Sequence, residues 1–444
     1  MQDKPSFWKT KTGKEIKNFL RWFAPGLGVK RWIAVLLFGT TMISVGLAMF
    51  LLDIYRTAPD TWWLPLLDYA SLRFLPRPTR VAVFAFLGLG LTGLGIWRMN
   101  WSLLMPFIRP GRPVVDALAR YRRRDRGPRI VVIGGGHGQS NLLRGLKEHT
   151  RNLTAVVTVA DDGGSSGRLR DSMGILPPGD IRNCLAALSN DEDLITQLFQ
   201  YRFSGSGEEL EGHSFGNLFI SALSDITGSF EEAVAESGRV LSVFGQVLPS
   251  TLHDVRLVAD KSQPHQAGEV RVKGESRIPT VTGKVRHLWL EPNNPPGFPK
   301  AVQALLKADL IVVGPGSLYT SILPNLLVPD IANALRVSQA LKIFVCNVAT
   351  QPGETDDYTC EDHVAAIESH VGEDAFDLVV SNQLTRGDLP EGTAWVTLGP
   401  DGEVDFPVYQ ADIVDGENPW QHDSSKLAKS LIDLYLERTG PLVM

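Results

Sequence analysis

The chain has 444 residues and a formal net charge of -5 at pH 7. With 43% hydrophobic and 21% charged residues, its composition is that of a folded protein and excludes a disordered chain, a collagen and a disulfide-rich mini-protein. Its three cysteines form no C-x-x-C pair, so neither a disulfide framework nor a cysteine zinc site is indicated. The acidic balance gives no electrostatic footprint for a nucleic acid.

Two apolar runs near the N-terminus predict membrane-spanning helices. Residues 32–52 are uncharged and would reach roughly 31 Å as a helix, which is enough to cross a bilayer. The second run, Val81 to Trp97, would reach roughly 25 Å, so it spans a bilayer only if it extends to about residue 105 with Arg98 at the interface. We therefore predict a transmembrane hairpin over residues 32–108, with spans at about 32–52 and 81–105.

Lysine and arginine are concentrated before the first run and after the second. By the positive-inside rule this predicts a basic cytoplasmic segment 1–31, an outward loop 53–80, a basic linker 109–128 and a cytoplasmic domain 129–444, at the plasma membrane of a bacterium. A cleavable signal peptide is the alternative, but its apolar core would be shorter and nearer the N-terminus. The YRRRDR run at 121–126 is either the basic flank of a membrane helix, which we favour, or a nucleic-acid patch.

A strand followed by a glycine-rich turn opens the cytoplasmic domain. Residues 129–133 are mostly β-branched, residues 134–140 read GGGHGQS, and leucines at helical spacing follow. Glycines let backbone N–H groups approach an anion at a helix N-terminus, so Gly135, Gly136 and Gly138 are predicted to bind a phosphate or pyrophosphate. The G-x-x-x-x-G-K-[ST] motif of P-loop ATPases is absent and the strict G-x-G-x-x-G spacing fails, which leaves a purely structural turn as the alternative.

The second predicted strand, Leu153 to Ala160, ends in two aspartates. A Rossmann-like fold places its ribose-binding carboxylate there, and Asp161 is the candidate. The segment GGSSGRLR that follows is predicted to be a flexible loop whose Ser165, Ser166 and Arg168 bind a phosphate or a sugar. A solvated surface loop is the alternative.

Two predicted helix starts carry polar groups. In PPGDIRN, Asp180 is either an N-cap or a ligand-binding carboxylate, and Asn183 follows it within one turn. In GHSFGN, the amide of Asn217 is placed to meet a hydroxyl or a base edge of a ligand, whereas His213 is better explained by packing or capping.

Residues 239–292 contain short β-like runs and predict a β-rich insertion. A strand at 308–313 then leads into a second glycine cradle, with Gly314, Gly316 and Ser317 as candidates for binding the ligand. Later strands also end in polar residues. The order predicts an α/β fold with a Rossmann-like, mostly parallel sheet that binds its ligand beyond the carboxyl ends of the strands.

Six blocks of sequence, in order, resemble a known family. They are ADDGGSSGRLR, PPGDIRN, GHSFGNL, GQVLPST, GPGSLYTSILPNLL and CNVATQPGET, and they resemble the gluconeogenesis-factor (YvcK-like) family of the CofD-like (2-phospho-L-lactate transferase) superfamily. The resemblance covers nearly all of residues 129–444 and none of residues 1–128. It departs from the family at DDYT (356–359) and SQPHQAG (262–268), which affects only the details of those loops.

The resemblance implies a cytoplasmic Rossmann-like protein that binds UDP-sugars such as UDP-N-acetylglucosamine. It also implies a role in cell shape and envelope synthesis, especially on gluconeogenic carbon, with no firmly established reaction. The pocket residues that it implies are Gly135, Gly136, Gly138, Asp161, Ser166, Asp180, Asn183, Asn217, Gly314 and Ser317. No catalytic residue or resident cofactor follows, and a divalent cation that bridges Asp161 or Asp180 to a pyrophosphate is left open.

We interpret the chain as a membrane-tethered nucleotide-sugar sensor that signals to envelope-synthesis proteins, and we expect it to form a homo-oligomer. The alternative is a phosphotransferase of the 2-phospho-L-lactate transferase type that acts on a nucleotide-diphospho donor. An NAD(P) dehydrogenase would depend on the first glycine turn alone and leave the other blocks unexplained.

Overall fold

The computed structural model describes residues 127–440 apart from 190–191, 205–209, 264–267, 374 and 400–403, and before them residues 74–104 and a few isolated positions. The chain divides into two compact units between Arg122 and Arg123. In the first, helix α1 spans Arg77–Leu104, and its stretch Pro78–Arg98 has a mean hydropathy of 1.7 with none of it buried. By length and composition α1 is able to cross a membrane.

The predicted span at 81–105 falls almost entirely on α1. The other predicted span, 32–52, lies mostly outside the described residues, as do most of the segments 1–31, 53–80 and 109–128. The two-helix hairpin therefore stays a prediction.

The second unit contains ten strands within the described residues. Their bounds are β1 Ile130–Gly134, β2 Leu153–Val157, β3 Gln246–Pro249, β4 Arg256–Ser262, β5 Glu269–Lys273, β6 Lys284–Glu291, β7 Leu310–Val313, β8 Leu341–Val345, β9 Leu378–Asn382 and β10 Val408–Ala411. Seven of them form one sheet in the order β10-β9-β8-β7-β1-β2-β3, in which every neighbouring pair is parallel. This confirms the predicted parallel α/β architecture.

The helices of this unit connect the strands. They are α2 Gly136–Leu146, α3 Gly164–Met173, α4 Gly179–Leu188, α5 Glu192–Gln200, α6 Phe215–Thr227, α7 Phe230–Val240, α8 Pro299–Lys307, α9 Leu323–Leu326, α10 Pro329–Val337, α11 Cys360–Val371 and α12 Ser424–Thr439. A 3-10 turn at Glu275–Arg277 and a π-helical turn at Leu318–Ile322 complete them.

The core sits around the middle of the parallel sheet. Strands β1 (IVVIG) and β7 (LIVV) are buried along their whole length, as expected of parallel strands with continuous apolar sequences. The leucines predicted on one face of the first helix, Leu142, Leu143 and Leu146, are buried on α2. This packing fixes the first turn of α2 directly beyond the end of β1.

The antiparallel insertion is shorter than the predicted 239–292. Its sheet has the order β5-β4-β6 and runs from Arg256 to Glu291. Residues 239 and 240 end helix α7, and β3 pairs in parallel with β2 as an edge strand of the main sheet. A run as short as QVLP carries no periodicity that could assign it to one sheet or the other.

Two local predictions are wrong for related reasons. The segment 163–170 is not a flexible loop: Gly163 is the N-cap of α3, which continues through Met173. Asp180 is not an N-cap, because Pro178 holds that position and Asp180 is the second residue of α4. In both cases a glycine just ahead of the polar residues starts the helix, and residues typical of loops and caps lie inside its first turn.

Candidate functional site

A cavity of about 510 Å³ lies beyond the carboxyl ends of β1, β2, β7 and β8. Two kinds of wall line it. We call the first the glycine wall, formed by residues 135–138 and 315–317, and the second the acidic wall, formed by Asp161, Asp180 and Glu275. The position agrees with the general rule for ligand sites in open parallel sheets.

The first half of the glycine wall is the turn into α2. Gly135 is the N-cap of α2 with no side-chain hydrogen bond, and Gly136 has a φ of +65°, which favours glycine. A Cβ at Gly138 would lie 2.6 Å from the carbonyl oxygen of Pro315 and 3.1 Å from the Gly316 nitrogen. The two glycine cradles therefore touch, which brings the turn before α2 against the turn after β7.

The second half of the glycine wall is held by the segment after β8. The Asn347 side chain accepts a hydrogen bond from Gly316 N (3.3 Å) and donates one to Gly316 O (2.9 Å). Gln351 Nε2 donates to Ser317 Oγ (2.9 Å), while Gln351 Oε1 is buried without a hydrogen-bond partner. Because Ser317 holds the nitrogen of this side-chain amide, the direction of its oxygen is fixed. The oxygen is suited to accept a hydrogen bond from a ligand.

A buried carboxylate supports the second cradle from behind. Glu354 Oε1 accepts from Thr320 Oγ1 (3.0 Å) and Oε2 accepts from Tyr319 N (3.3 Å). Burial raises the pKa of Glu354 to about 6, even though these hydrogen bonds favour its ionised form. Thr320 itself lines the cavity, so Glu354 positions a residue of the site.

The acidic wall brings together carboxyl groups from three separate segments. Asp161 Oδ1 accepts from Gly163 N (2.8 Å), and burial raises its pKa. Asp180 Oδ2 would lie 2.7 Å from a Cβ at Gly135, which places this carboxylate against the glycine wall. Burial and the neighbouring Asp161 raise the pKa of Asp180 to about 6, against the effect of the Gly136 N–H.

Glu275, on the 3-10 turn of the insertion, completes the acidic wall. Burial, followed by the charges of Asp161 and Asp180, raises its pKa to about 8. A group with that pKa carries a proton for much of the time at neutral pH. It can then donate as well as accept a hydrogen bond.

Seven of the predicted site residues line the cavity: Gly135, Gly136, Gly138, Asp161, Asp180, Gly316 and Ser317. Of the others, Ser166 is buried behind Asp161, where its Oγ accepts from Gly179 N (3.1 Å). Gly314, with a φ of +81°, lies at the end of β7 and turns the chain into the second cradle.

The remaining predicted residues lie outside the cavity. Ser165 Oγ bonds His213 Nδ1 (3.0 Å) and accepts from Asn217 Nδ2 (3.1 Å), which ties α3 to the start of α6. Asn183 Oδ1 accepts from Arg182 (2.8 Å) within α4, and the exposed Arg168 donates to the Glu211 carbonyl (2.7 Å). These groups hold helices next to the cavity and do not line it.

Sequence reasoning missed Glu275, Gln351 and His422. Gln351 lies in the recognised CNVATQPGET block at a strand end, so that signal could have identified it. His422 is buried and hydrogen-bonded through Nε2 to the Cys346 carbonyl (3.1 Å), and burial lowers its pKa to about 4, so it stays neutral near pH 7. For Glu275, in a β-like stretch without a motif, the sequence offered no such signal.

The acidic wall does not by itself form a metal centre. Among the described residues, no group of three His, Cys, Asp or Glu side chains is arranged to hold a metal ion. A divalent cation here would have to take most of its ligands from the bound phosphates and from water.

Comparison with known proteins adds an independent finding. The family model described as 2-phospho-L-lactate transferase CofD matches residues 130–437. A curated protein of Nostoc sp. is 49% identical over 378 residues, which cover 84% of this chain and 80% of the relative. The gluconeogenesis factor of Bacillus subtilis is 44% identical over 328 residues, which cover 70% of this chain and 99% of the relative.

A solved structure shares the fold of the second unit. The crystal structure of a UPF0052-family protein from Bacillus halodurans is 41% identical, with a TM-score of 0.64, and the match covers 69% of this chain and 99% of that chain. A protein that consists almost wholly of the matched part is therefore able to fold.

Proposed function

The chain belongs to the CofD family and to its gluconeogenesis factors, and on that premise we propose that it binds a nucleotide sugar of the UDP-N-acetylglucosamine kind in the cavity between the two walls. The contact of Gly138 with Pro315 and Gly316 is the observation that carries this proposal. It joins two amide cradles into one wall, and two adjacent cradles suit the two phosphates of a nucleoside diphosphate better than a single phosphate.

The other wall fits the uncharged parts of such a ligand. Carboxyl groups repel phosphates and hydrogen-bond hydroxyl groups, so the sugars belong beside the acidic wall and the diphosphate beside the glycine wall. The cavity of about 510 Å³ lies within the range of small-molecule sites. The polar groups on both walls suit a polyhydroxylated, anionic ligand.

We further propose that binding regulates envelope synthesis and carbon use rather than consuming the ligand. In this role the protein is a sensor of a sugar-nucleotide precursor, and α1 tethers it to the membrane where envelope-synthesis proteins act. A divalent cation that accompanies the diphosphate is compatible with this proposal and is not required by it.

Thermal unfolding tests the ligand. For residues 129–444, which correspond to a part that folds alone in the B. halodurans relative, UDP-N-acetylglucosamine at a hundred times its dissociation constant should add about 2.7 kcal/mol to stability. NAD at the same concentration is the comparison, and we expect it to add much less. A shift with NAD and none with any UDP-sugar would contradict the proposal.

A transferase is the second candidate, since the matching family model is described as a 2-phospho-L-lactate transferase. The same sample can decide between the two. Mass spectrometry after incubation with UDP-sugars and an acceptor that carries a free hydroxyl should return every nucleotide unaltered if the protein is a sensor. A nucleoside monophosphate formed together with a phosphodiester product would establish the transferase.

The tether is tested by cysteine labelling in intact cells. The three native cysteines are buried and should not react with an impermeant thiol reagent. An introduced cysteine near position 66 should react, and one near the N-terminus should not, if both termini are cytoplasmic. The opposite pattern would overturn the proposed topology.

A further inference from the structure

Within its described residues, the antiparallel insertion reaches the cavity through one turn, residues 274–281. This insertion turn carries Glu275, and Glu275 lines the cavity together with Asp161 and Asp180. The turn comes from a different sheet than the rest of the site, so its position depends on whatever fastens it there. Two buried or partly buried side chains do so.

The first fastening is Asp162, the neighbour of Asp161. Asp162 Oδ1 accepts a hydrogen bond from Ser276 N (3.0 Å). Gly274 has a φ of +107°, and a Cβ there would overlap the Asp162 carboxylate. The two aspartates after β2 therefore have separate roles: Asp161 faces the cavity, and Asp162 holds the insertion turn.

The second fastening is Lys261 on β4, which is fully buried. Its ammonium donates to the carbonyls of Ile278 (2.8 Å), Val281 and Gly353 (2.8 Å). Gly353 belongs to the segment after β8 that carries Gln351 and Glu354. The insertion turn is thus fastened to the end of β2 on one side and to the support of the glycine wall on the other.

We propose that Glu275 is a ligand-binding residue that acts with Asp161 on the ribose of the bound nucleotide, and so makes the site specific for ribonucleotides over 2′-deoxyribonucleotides. This inference rests on the proposed nucleotide-sugar function. A carboxylate at the end of the second strand is where Rossmann-like folds hydrogen-bond a ribose 2′-hydroxyl. Glu275 adds a second carboxyl group beside it, so the same 2′-hydroxyl can donate a hydrogen bond to Asp161 and form another with Glu275.

The geometry separates this role from phosphate binding. The proposed function places the diphosphate beside the glycine wall, and the insertion turn contributes no basic residue to the cavity lining. Loss of the Glu275 carboxyl should therefore remove hydroxyl recognition and leave the diphosphate contacts in place. A site built to hydrogen-bond a hydroxyl discriminates strongly against an analogue that lacks it.

The test compares UDP with 2′-deoxy-UDP by calorimetry on residues 129–444. Wild type should bind UDP at least about tenfold more tightly. Glu275→Ala should weaken UDP about tenfold and change 2′-deoxy-UDP less than about twofold, so that most of the preference is lost and only the part due to Asp161 remains. Glu275→Gln, which keeps a donor and an acceptor, should retain part of the preference.

Two further variants examine the fastening. Asp162→Ala should reduce the preference in the same way, because the insertion turn loses its hydrogen bond at Ser276 N. Ser276→Ala is the matched control: its exposed side chain is removed, its backbone N–H remains, and both affinities should stay at the wild-type values.

Each outcome has one meaning. A Glu275→Ala protein that keeps the preference, or that loses UDP and 2′-deoxy-UDP equally, would overturn the role of Glu275 and leave the proposed function standing. Wild-type protein that binds neither UDP nor UDP-N-acetylglucosamine would instead reject the proposed function, and this inference with it.

Discussion

The two walls of the cavity are built in opposite ways. The glycine wall takes its shape from close backbone contact between two turns at Gly138 and Pro315. The acidic wall is made of side chains from three places. Asp161 follows strand β2, Asp180 lies in the first turn of α4, and Glu275 lies on the 3-10 turn of the insertion. The glycine wall therefore requires that no Cβ is present where its two turns meet. The acidic wall requires that three segments far apart in the chain are held together.

The walls also differ in their contribution to stability. The glycine wall is packed and contributes to the fold whether or not a ligand is bound. The acidic wall opposes folding, because burial raises the pKa values of Asp161, Asp180 and Glu275, and repulsion by the neighbouring wall carboxylates raises those of Asp180 and Glu275 further. Such groups are expected where function, rather than stability, selects the residue.

Replacing Gly138 should break the glycine wall and have the largest effect. In Gly138→Val the new side chain would overlap the backbone of Pro315, which cannot move aside as a flexible side chain could. We expect a loss of about 3 kcal/mol in the free energy of unfolding, together with loss of UDP-sugar binding. Chemical denaturation and calorimetry measure the two effects.

Gly416→Ala is the control for that change. A Cβ added at Gly416 would have no atom within 4 Å, and Gly416 has no positive φ. The Gly416→Ala protein should therefore match wild type in stability and in UDP-sugar binding. A Gly138→Val protein with wild-type stability would mean that the two cradles do not touch.

Removing a charge from the acidic wall should have a smaller effect and the opposite sign for stability. Asp180→Asn keeps the shape beside Gly135 and removes the buried charge next to Asp161, so at pH 8 we expect a gain of about 1–2 kcal/mol in the free energy of unfolding. UDP-sugar binding should weaken. Thermal unfolding and calorimetry on one sample measure both.

Asp423→Ala provides the contrast. Asp423 caps α12 by accepting from Ser425 N and Lys426 N (both 2.8 Å), so its loss should cost about 1 kcal/mol and leave binding unchanged. If Asp180→Asn is destabilising by a similar amount, Asp180 serves the fold rather than the ligand.

The pH dependence of stability should show the smallest effect. Folding raises the pKa of Glu275 from 4.5 to about 8, so the folded protein holds more protons between these values and its stability falls as the pH rises through this window. Asp180 and Glu354, with pKa values of about 6, have largely ionised by pH 7. Between pH 7 and 8 the free energy of unfolding should therefore decrease by at most about 1.4 kcal/mol per pH unit.

Glu275→Gln isolates this contribution. The variant should lose the extra decrease and become more stable than wild type as the pH rises from 7 to 8.5, by melting temperature in a pH series. Parallel curves for the two proteins would show that Glu275 titrates at an ordinary pKa and is not held among the other carboxyl groups.

The sequence predicted the glycine wall better than the acidic wall. Gly135, Gly136, Gly138, Gly316 and Ser317 follow strands directly, and a turn after a buried strand is a local feature. Glu275 could not be predicted because its place depends on Asp162 and Lys261, which lie far from it in the chain. Local composition also misassigned the start of α3, since serines and glycines occur both in loops and in first helical turns.

The position of β1 in the sheet has a consequence for synthesis on the ribosome. Arg129, just before β1, is hydrogen-bonded to Asp309, just before β7, and the two residues are 180 positions apart. While the nascent chain is still growing, one edge of β1 has no partner strand, and an unpaired apolar edge invites association with other chains. The cavity is complete only after the second cradle has been made, so a truncated product is expected to be aggregation-prone rather than partly functional.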